Sequence, residues 1–231
     1  MIRFFAKCAL FMLPAFSINA DTLDFNGGIA GGGNYNVPVT SFLERRFKTV
    51  YKQQYDFSCG SATLASLLTY HYDDVVDEHT VFVDMFKNGD QKKIQKQGFS
   101  LLDIKFFLER RGYRSDGFKI KLDQLITANV PAITIINNKG YLHFVIIKGL
   151  NEQEVLVGDP AVGIKVIPRD VFEEMWKNRI LFLIHDKKDI AAQHFQDQKE
   201  WALRVKAPLG SAVDRASLGL FNMLQPGRWD F

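Results

Sequence analysis

Gln53-Gln54-Tyr55-Asp56-Phe57-Ser58-Cys59-Gly60-Ser61-Ala62 runs into Thr63-Leu64-Ala65-Ser66-Leu67-Leu68-Thr69-Tyr70, and this stretch decides how the chain is read. Ala62, Ala65, Leu67, Leu68 and Tyr70 recur at helical spacing, with Ser58 placed to cap the helix. Cys59 then stands at the helix start, where unpaired amides and the helix dipole favour negative charge. The thiolate is the nucleophilic form of cysteine, so the position suits a reactive thiol. Gly60 beside it leaves the backbone accessible to a substrate. A small buried helix residue that happens to be cysteine is the plainer alternative.

Working outward, the first twenty residues read as a secretory signal. Arg3 and Lys7 supply the positive start, Ala9 to Phe16 the apolar run, and Ser17-Ile18-Asn19-Ala20 a small residue for cleavage before Asp21. The run is shorter than the roughly 20 apolar residues a membrane span needs, so an exported, periplasmic protein with no transmembrane span in its mature chain is expected. A retained anchor is the alternative. Of the two cysteines in the 231 residues, Cys8 would leave with the signal and Cys59 would remain as a lone thiol. A lone thiol in an oxidising compartment is kept for reactivity or for an intermolecular link. Without Arg3 and Lys7 the 29 basic residues fall to 27 against 26 acidic ones, which gives no electrostatic case for nucleic acid.

Residues 21–47 form a glycine-rich arm, with Gly27-Gly28 and Gly31-Gly32-Gly33 making it a poor packer and Asn34 to Thr40 extended. Beyond the nucleophile helix, helices are expected over Asp77–Phe86, Ser100–Arg110 and Leu122–Ala128. Leu101, Leu102, Ile104, Phe107 and Leu108 form the buried side of the Ser100 helix, and Gly112 stops it. Strands follow from Pro131 to Ile136 and over Tyr141–Gly149, Glu154–Gly158 and Ile164–Ile167, with turns at Asn137-Asn138 and Asn151-Glu152. A helix over Asp170–Lys177 with Trp176 inward and a strand over Ile180–His185 close the pattern. Helices first and an antiparallel sheet afterwards make an α+β domain over residues 48–186. A helical C-terminal extension, 187–231, would carry helices over Asp189–Val205 and Ser211–Leu224.

A cysteine nucleophile needs a base, and five histidines are available. His71 lies on the same helix, about 18 Å away. His79 is in a charged stretch, His194 is in the extension, and His185 has only Asp186 beside it. His143 stands in Tyr141-Leu142-His143-Phe144-Val145-Ile146-Ile147, apolar on both faces, and a buried imidazole needs a partner. With a turn at Asn151-Glu152, position 143 falls opposite 159–160, so a slip of one residue sets Asp159 directly across. An aspartate there would hold the imidazole tautomer. Gln53 and Gln54 both sit where a side-chain amide could meet an oxyanion. No phosphate-cradling glycine loop, zinc-spaced cysteines or His-Glu-x-x-His is present, so neither metal nor cofactor is expected.

The block Gln53–Ala62 resembles the active-site motif of peptidase family C39, papain-fold enzymes that remove leader peptides after a double glycine. In that family the oxyanion glutamine lies six positions before the cysteine, which selects Gln53. The family's histidine, followed by an apolar residue and valine, matches His143, and its aspartate before proline matches Asp159-Pro160. Gly98-Phe99-Ser100-Leu101-Leu102-Asp103-Ile104 is similar to the family's helix after the nucleophile. Ser58 departs from the aspartate that many members carry there. The resemblance implies a papain-like cysteine peptidase acting on a peptide or protein after small residues. A signal without a transporter is similar to stand-alone exported members, some of which accompany outer-membrane secretion of functional amyloid in biofilms. An amyloid subunit or an outer-membrane secretion component are therefore candidate partners. The competing readings are a non-catalytic module of the same fold that binds an unfolded secretion substrate, and acyl or peptidyl transfer.

Overall fold

A computed structural model describes residues 22–25, 35–38, 40–55 and 57–203. The stretch read as a signal, the glycines of the arm and the expected Ser211–Leu224 helix lie outside them. The chain divides into two units, residues 1–44 and 45–231. In the first, β1 (Thr22–Phe25) pairs antiparallel with β2 (Tyr35–Pro38), so the extended stretch foreseen after Asn34 is one arm of a small ribbon. The helix α1 (Phe42–Arg46) follows.

The second unit is built on α2 (Cys59–His71), a helix buried almost all round. Cys59 through Leu68 are all buried, as expected of a helix whose residues are apolar or small on every face. Its hydroxyls are satisfied: Ser61 Oγ donates to Ser58 O (2.8 Å), Ser66 Oγ to Ala62 O (2.6 Å) and Thr63 Oγ1 to Phe144 O (3.3 Å). Against it pack α3 (Glu78–Asn88) and α5 (Leu101–Arg110), with α4 (Gln91–Gln97) lying against α3. The Asp77 side chain caps α3, and Ser100 with Asp103 forms a capping box on α5. Gly112 takes a φ of +81° just past α5, where only glycine is unstrained.

Next come β3 (Ser115–Phe118), α6 (Leu122–Ala128), β4 (Ala132–Asn138), β5 (Tyr141–Leu150), β6 (Glu154–Asp159), β7 (Gly163–Pro168), α7 (Arg169–Met175) and β8 (Leu181–Ile184). Among the described residues these strands form one six-stranded antiparallel sheet in the order β3-β8-β4-β5-β6-β7. The expected α+β class is what the chain adopts. Trp176 points inward, fully buried, with its indole N–H donating to Ile180 O at 3.3 Å.

Several local readings are corrected. Leu102 is 55% exposed, because the buried stripe of α5 follows Ile104, Phe107 and Leu108 and leaves position 102 on the far side. The β4–β5 turn is Lys139-Gly140, both at positive φ, and Asn137 and Asn138 still belong to the strand. The short helix α4 and the strand β3 were not foreseen, being too short and polar for periodicity to mark. The long helix expected over Asp189–Val205 is broken into α8 (Lys188–Gln193) and α9 (Gln198–Trp201). Between them Gln196 sits at φ +63° and gives its backbone N–H to Lys148 O on β5 (2.8 Å), so the helix cannot continue. Ala191 and Phe195 enter the main core, and Trp201 joins a second cluster with Val50, Leu156 and Ile164. Packing therefore does not divide at 186.

The orientation of α5 can be read from stability. Leu102→Ala should change unfolding free energy by no more than about 0.5 kcal/mol, as for an exposed site. Ile104→Ala should cost about 2–5 kcal/mol, both measured by urea denaturation. Equal losses would contradict this packing.

Candidate active site

The start of α2 sets Cys59 in place, buried at 5% exposure. Ser58 does not cap the helix as expected. Its hydroxyl turns back on the preceding loop, accepting from Tyr55 N–H and donating to Tyr55 O, each at 3.1 Å. The Ser58 side chain thus leaves the first amides of α2 uncapped, and Cys59 stands at that helix N-terminus. Gly60 is buried and is required by packing: a β-carbon there would lie 3.0 Å from Phe99 Cβ and 3.6 Å from the Phe144 ring. The open backbone expected at Gly60 is thus filled by these two rings.

His143 is carried by β5, paired with Ile136 of β4. Its Nε2 lies 2.7 Å from Asp159 Oδ1 at the end of β6, and both side chains are buried. The contact is the one expected, but the register differs from the one counted out. Near the β5–β6 turn Leu150 pairs with Val155 and Gly149 with Leu156, while further on Ile147 pairs with Val157 and Ile146 with Gly158. The register shifts at Lys148. Carried one step on, it puts Asp159 beside Val145, as a diagonal neighbour of His143 on the same face.

Asp159 is held from three sides. Oδ1 also accepts from the Ala161 N–H (2.9 Å), and Oδ2 accepts from Lys165 Nζ of β7 (2.7 Å). Lys165 was not singled out in the sequence, where it is one lysine among many. Its only signal is its place in the strand that returns antiparallel to Asp159. Gln53 reaches the same turn through its backbone, donating its N–H to Pro160 O at 3.0 Å. Its Oε1 is buried and has no hydrogen-bond partner among the described residues, whereas Gln54 is exposed.

Electrostatics follow from this packing. Burial alone would lower the His143 pKa, but the hydrogen bond to Asp159 and the adjacent Cys59 sulfur outweigh it and raise the value to about 9. Burial would raise Asp159, but its bond to His143 and the nearby Lys165 hold it well below the usual carboxylate range. His143 is therefore an imidazolium at neutral pH, with Nε2 given to Asp159. Nδ1 makes no hydrogen bond within normal limits among the described residues and is the nitrogen left for the thiol. The other histidines serve elsewhere. His71 is buried at the far end of α2, with its pKa lowered chiefly by burial. His185 pairs with Asp116 and His194 with Asp73, each at 3.3 Å, and His79 is exposed. The rim is apolar: the half-exposed Tyr141 ring lies 5.9 Å from the His143 ring, and Leu142 is exposed.

A buried thiol at a helix start, beside a histidine and aspartate on an antiparallel sheet, is the arrangement of a papain-like cysteine peptidase. The sequence pattern of the peptidase C39 family matches residues 47–188, and the chain belongs to that family. It is 41% identical over 154 residues to a probable functional amyloid protease, FapD, of Pseudomonas fluorescens, covering 67% of this chain and 68% of the relative. A protein of the same description from Pseudomonas aeruginosa is 38% identical over 176 residues, covering 76% and 77%. The solved peptidase domain of Streptococcus ComA, a bi-functional transporter involved in quorum sensing, matches with a TM-score of 0.50 at 20% identity. It covers 59% of this chain and 96% of that domain, and shares the fold. The chain is a cysteine peptidase.

The raised His143 and depressed Asp159 fix the sign of the pH response. The imidazolium contributes stability below its unfolded pKa, and this is lost as pH rises through about 9; the carboxylate's share is lost as pH falls below the ordinary aspartate range. Peptidase activity should accordingly fall on the alkaline side near pH 9. Asp159→Asn, which removes the negative partner, should move that limb toward acid by at least about one pH unit. An alkaline limb that stays in place in the variant would contradict the pairing.

Proposed function

We propose that this peptidase hydrolyses peptide bonds after small residues, Gly-Gly above all, in a secreted substrate such as a functional-amyloid component, and that it works in the periplasm. The observation that carries the catalytic reading is the buried His143 bonded through Nε2 to Asp159, with the Cys59 sulfur close enough to act on its charge. The Cys59 sulfur attacks the scissile carbonyl as the thiolate. The Gln53 side-chain amide and the Cys59 backbone N–H hold the developing oxyanion. His143 gives its proton to the leaving amine, and then takes one from the water that releases the acyl group. Asp159 keeps the ring oriented with Nε2 bound and Nδ1 toward sulfur. The description of the two Pseudomonas relatives supports the amyloid substrate, and the export-signal pattern of residues 1–20 supports the location.

A preference for small residues has a physical basis in an extended peptide passing close to a buried thiol. Side-chain-free residues can approach where larger ones clash.

Cys59→Ala should abolish cleavage while keeping the fold, and iodoacetamide should label Cys59 faster than a free-thiol reference at pH 6–7. Replacing the residue before the cut by leucine should slow cleavage at least about tenfold, or roughly 1.4 kcal/mol of transition-state binding. Equal cleavage of the glycine and leucine peptides would overturn the preference. Cleavage by Cys59→Ala would overturn the nucleophile.

A further inference from the structure

The shift of register at Lys148 decides where Asp159 points. If the pairing set by Gly149 with Leu156 ran on without interruption, Asp159 would fall opposite Ile146, on the sheet face away from His143. The extra residue in β5 is a bulge, and it returns Asp159 to the face His143 shares. An arrangement that hangs on one extra residue needs that residue fixed.

Lys148 is held at both its ammonium and its carbonyl. It is 1% exposed, and its Nζ donates to Glu200 Oε1 (2.6 Å), Thr49 Oγ1 (2.7 Å) and Thr49 O (3.2 Å), all the bonds an ammonium can donate. Thr49 Oγ1 in turn donates to Glu200 Oε1. The Lys148 carbonyl accepts from Gln196 N–H (2.8 Å). The neighbouring glycines leave no slack, since a β-carbon at Gly158 would lie 3.0 Å from Lys148 Cδ and one at Gly149 3.1 Å from Gln196 Cα. Glu200 and Gln196 belong to the α8–α9 segment, beyond residues 47–188 that carry the family pattern. A buried ion pair is seldom more stabilising than an apolar pair of the same size, and its best-attested use is to select one register over another.

We propose that the Lys148–Glu200 pair is a register key: it locks the extra residue of β5 in its bulge and keeps Asp159 on the face of His143. Lys148 and Glu200 are then positioning residues for the active site, and the C-terminal segment takes part in catalysis without touching substrate. The inference rests on the catalytic reading of Cys59, His143 and Asp159 given above.

The test is the double variant Lys148→Met with Glu200→Met, which removes the charges together and leaves neither buried alone. Its melting temperature should equal or exceed that of the wild type. Its kcat should fall at least about tenfold with KM within about twofold. The alkaline limb near pH 9 should move toward acid, because His143 loses Asp159 in the slipped register. A folded variant with wild-type kcat, or with lowered kcat and an unmoved limb, overturns the proposal. Should the double variant fail to fold, Glu200→Gln, which keeps the shape and loses the charge, is read by the same limb: movement supports the key and constancy overturns it. Cys59→Ala run alongside separates the two levels. Cleavage that survives in it overturns the reading of the site, whereas an inactive Cys59→Ala beside an unaffected pair variant overturns the register key alone.

Discussion

The 2.7 Å contact between His143 Nε2 and Asp159 Oδ1 joins two ionisable groups that water scarcely reaches. Each would be costly to bury alone, and together they charge one another: the imidazole stays protonated and the carboxylate stays ionised. Everything around the thiol serves that contact. The tight Lys139-Gly140 turn fixes β5 against β4, the bulge sets β6 to the right face, Lys165 takes the second carboxylate oxygen, and the Gln53 backbone N–H ties the loop before Cys59 to Pro160. The helix α2 brings Cys59 to the remaining ring nitrogen from the other side of the chain. Two elements far apart in sequence thus meet at one imidazole.

Much of this was legible in the residues. Helical spacing after Ser58 put Cys59 at a helix start, and apolar residues on both sides of His143 marked a buried strand that demanded a partner. Counting across the hairpin found Asp159 within reach. The count itself was off, because Leu150 pairs with Val155 and not with Gln153: the turn lies one residue further along than expected, with Asn151 Oδ1 accepting from Gln153 N–H and Glu154 N–H. A second departure, the bulge at Lys148, supplies the one-residue slip that brings Asp159 to the face of His143. Such a bulge leaves no mark in the pattern, since Lys148 reads as the outward residue of a strand until Glu200, fifty-two positions away, is found beside it. Lys165 was missed for the same reason: an ion pair across strands is a tertiary fact. Ser58 was misread because a hydroxyl before a helix can close the previous turn as readily as cap the next.

The C-terminal segment changes how the domain should be drawn. The family pattern ends at residue 188, but Ala191, Phe195 and Trp201 are buried in the same unit, and Gln196 and Glu200 bond directly to Lys148. These contacts fall on the strand that carries His143. A segment that reads as an appendage in sequence is therefore part of the scaffold behind the active site.

Direct observation of the His143 ring by nitrogen NMR, titrated in the wild type and in Cys59→Ala, tests the coupling on which the site depends. The ring should remain protonated up to about pH 9 in the wild type, and should lose its proton at a lower pH once the sulfur is gone, since Cys59 is one of the groups that raise it. A ring that titrates near its unperturbed value of about 6.5 in both proteins would contradict the linked cysteine, histidine and aspartate.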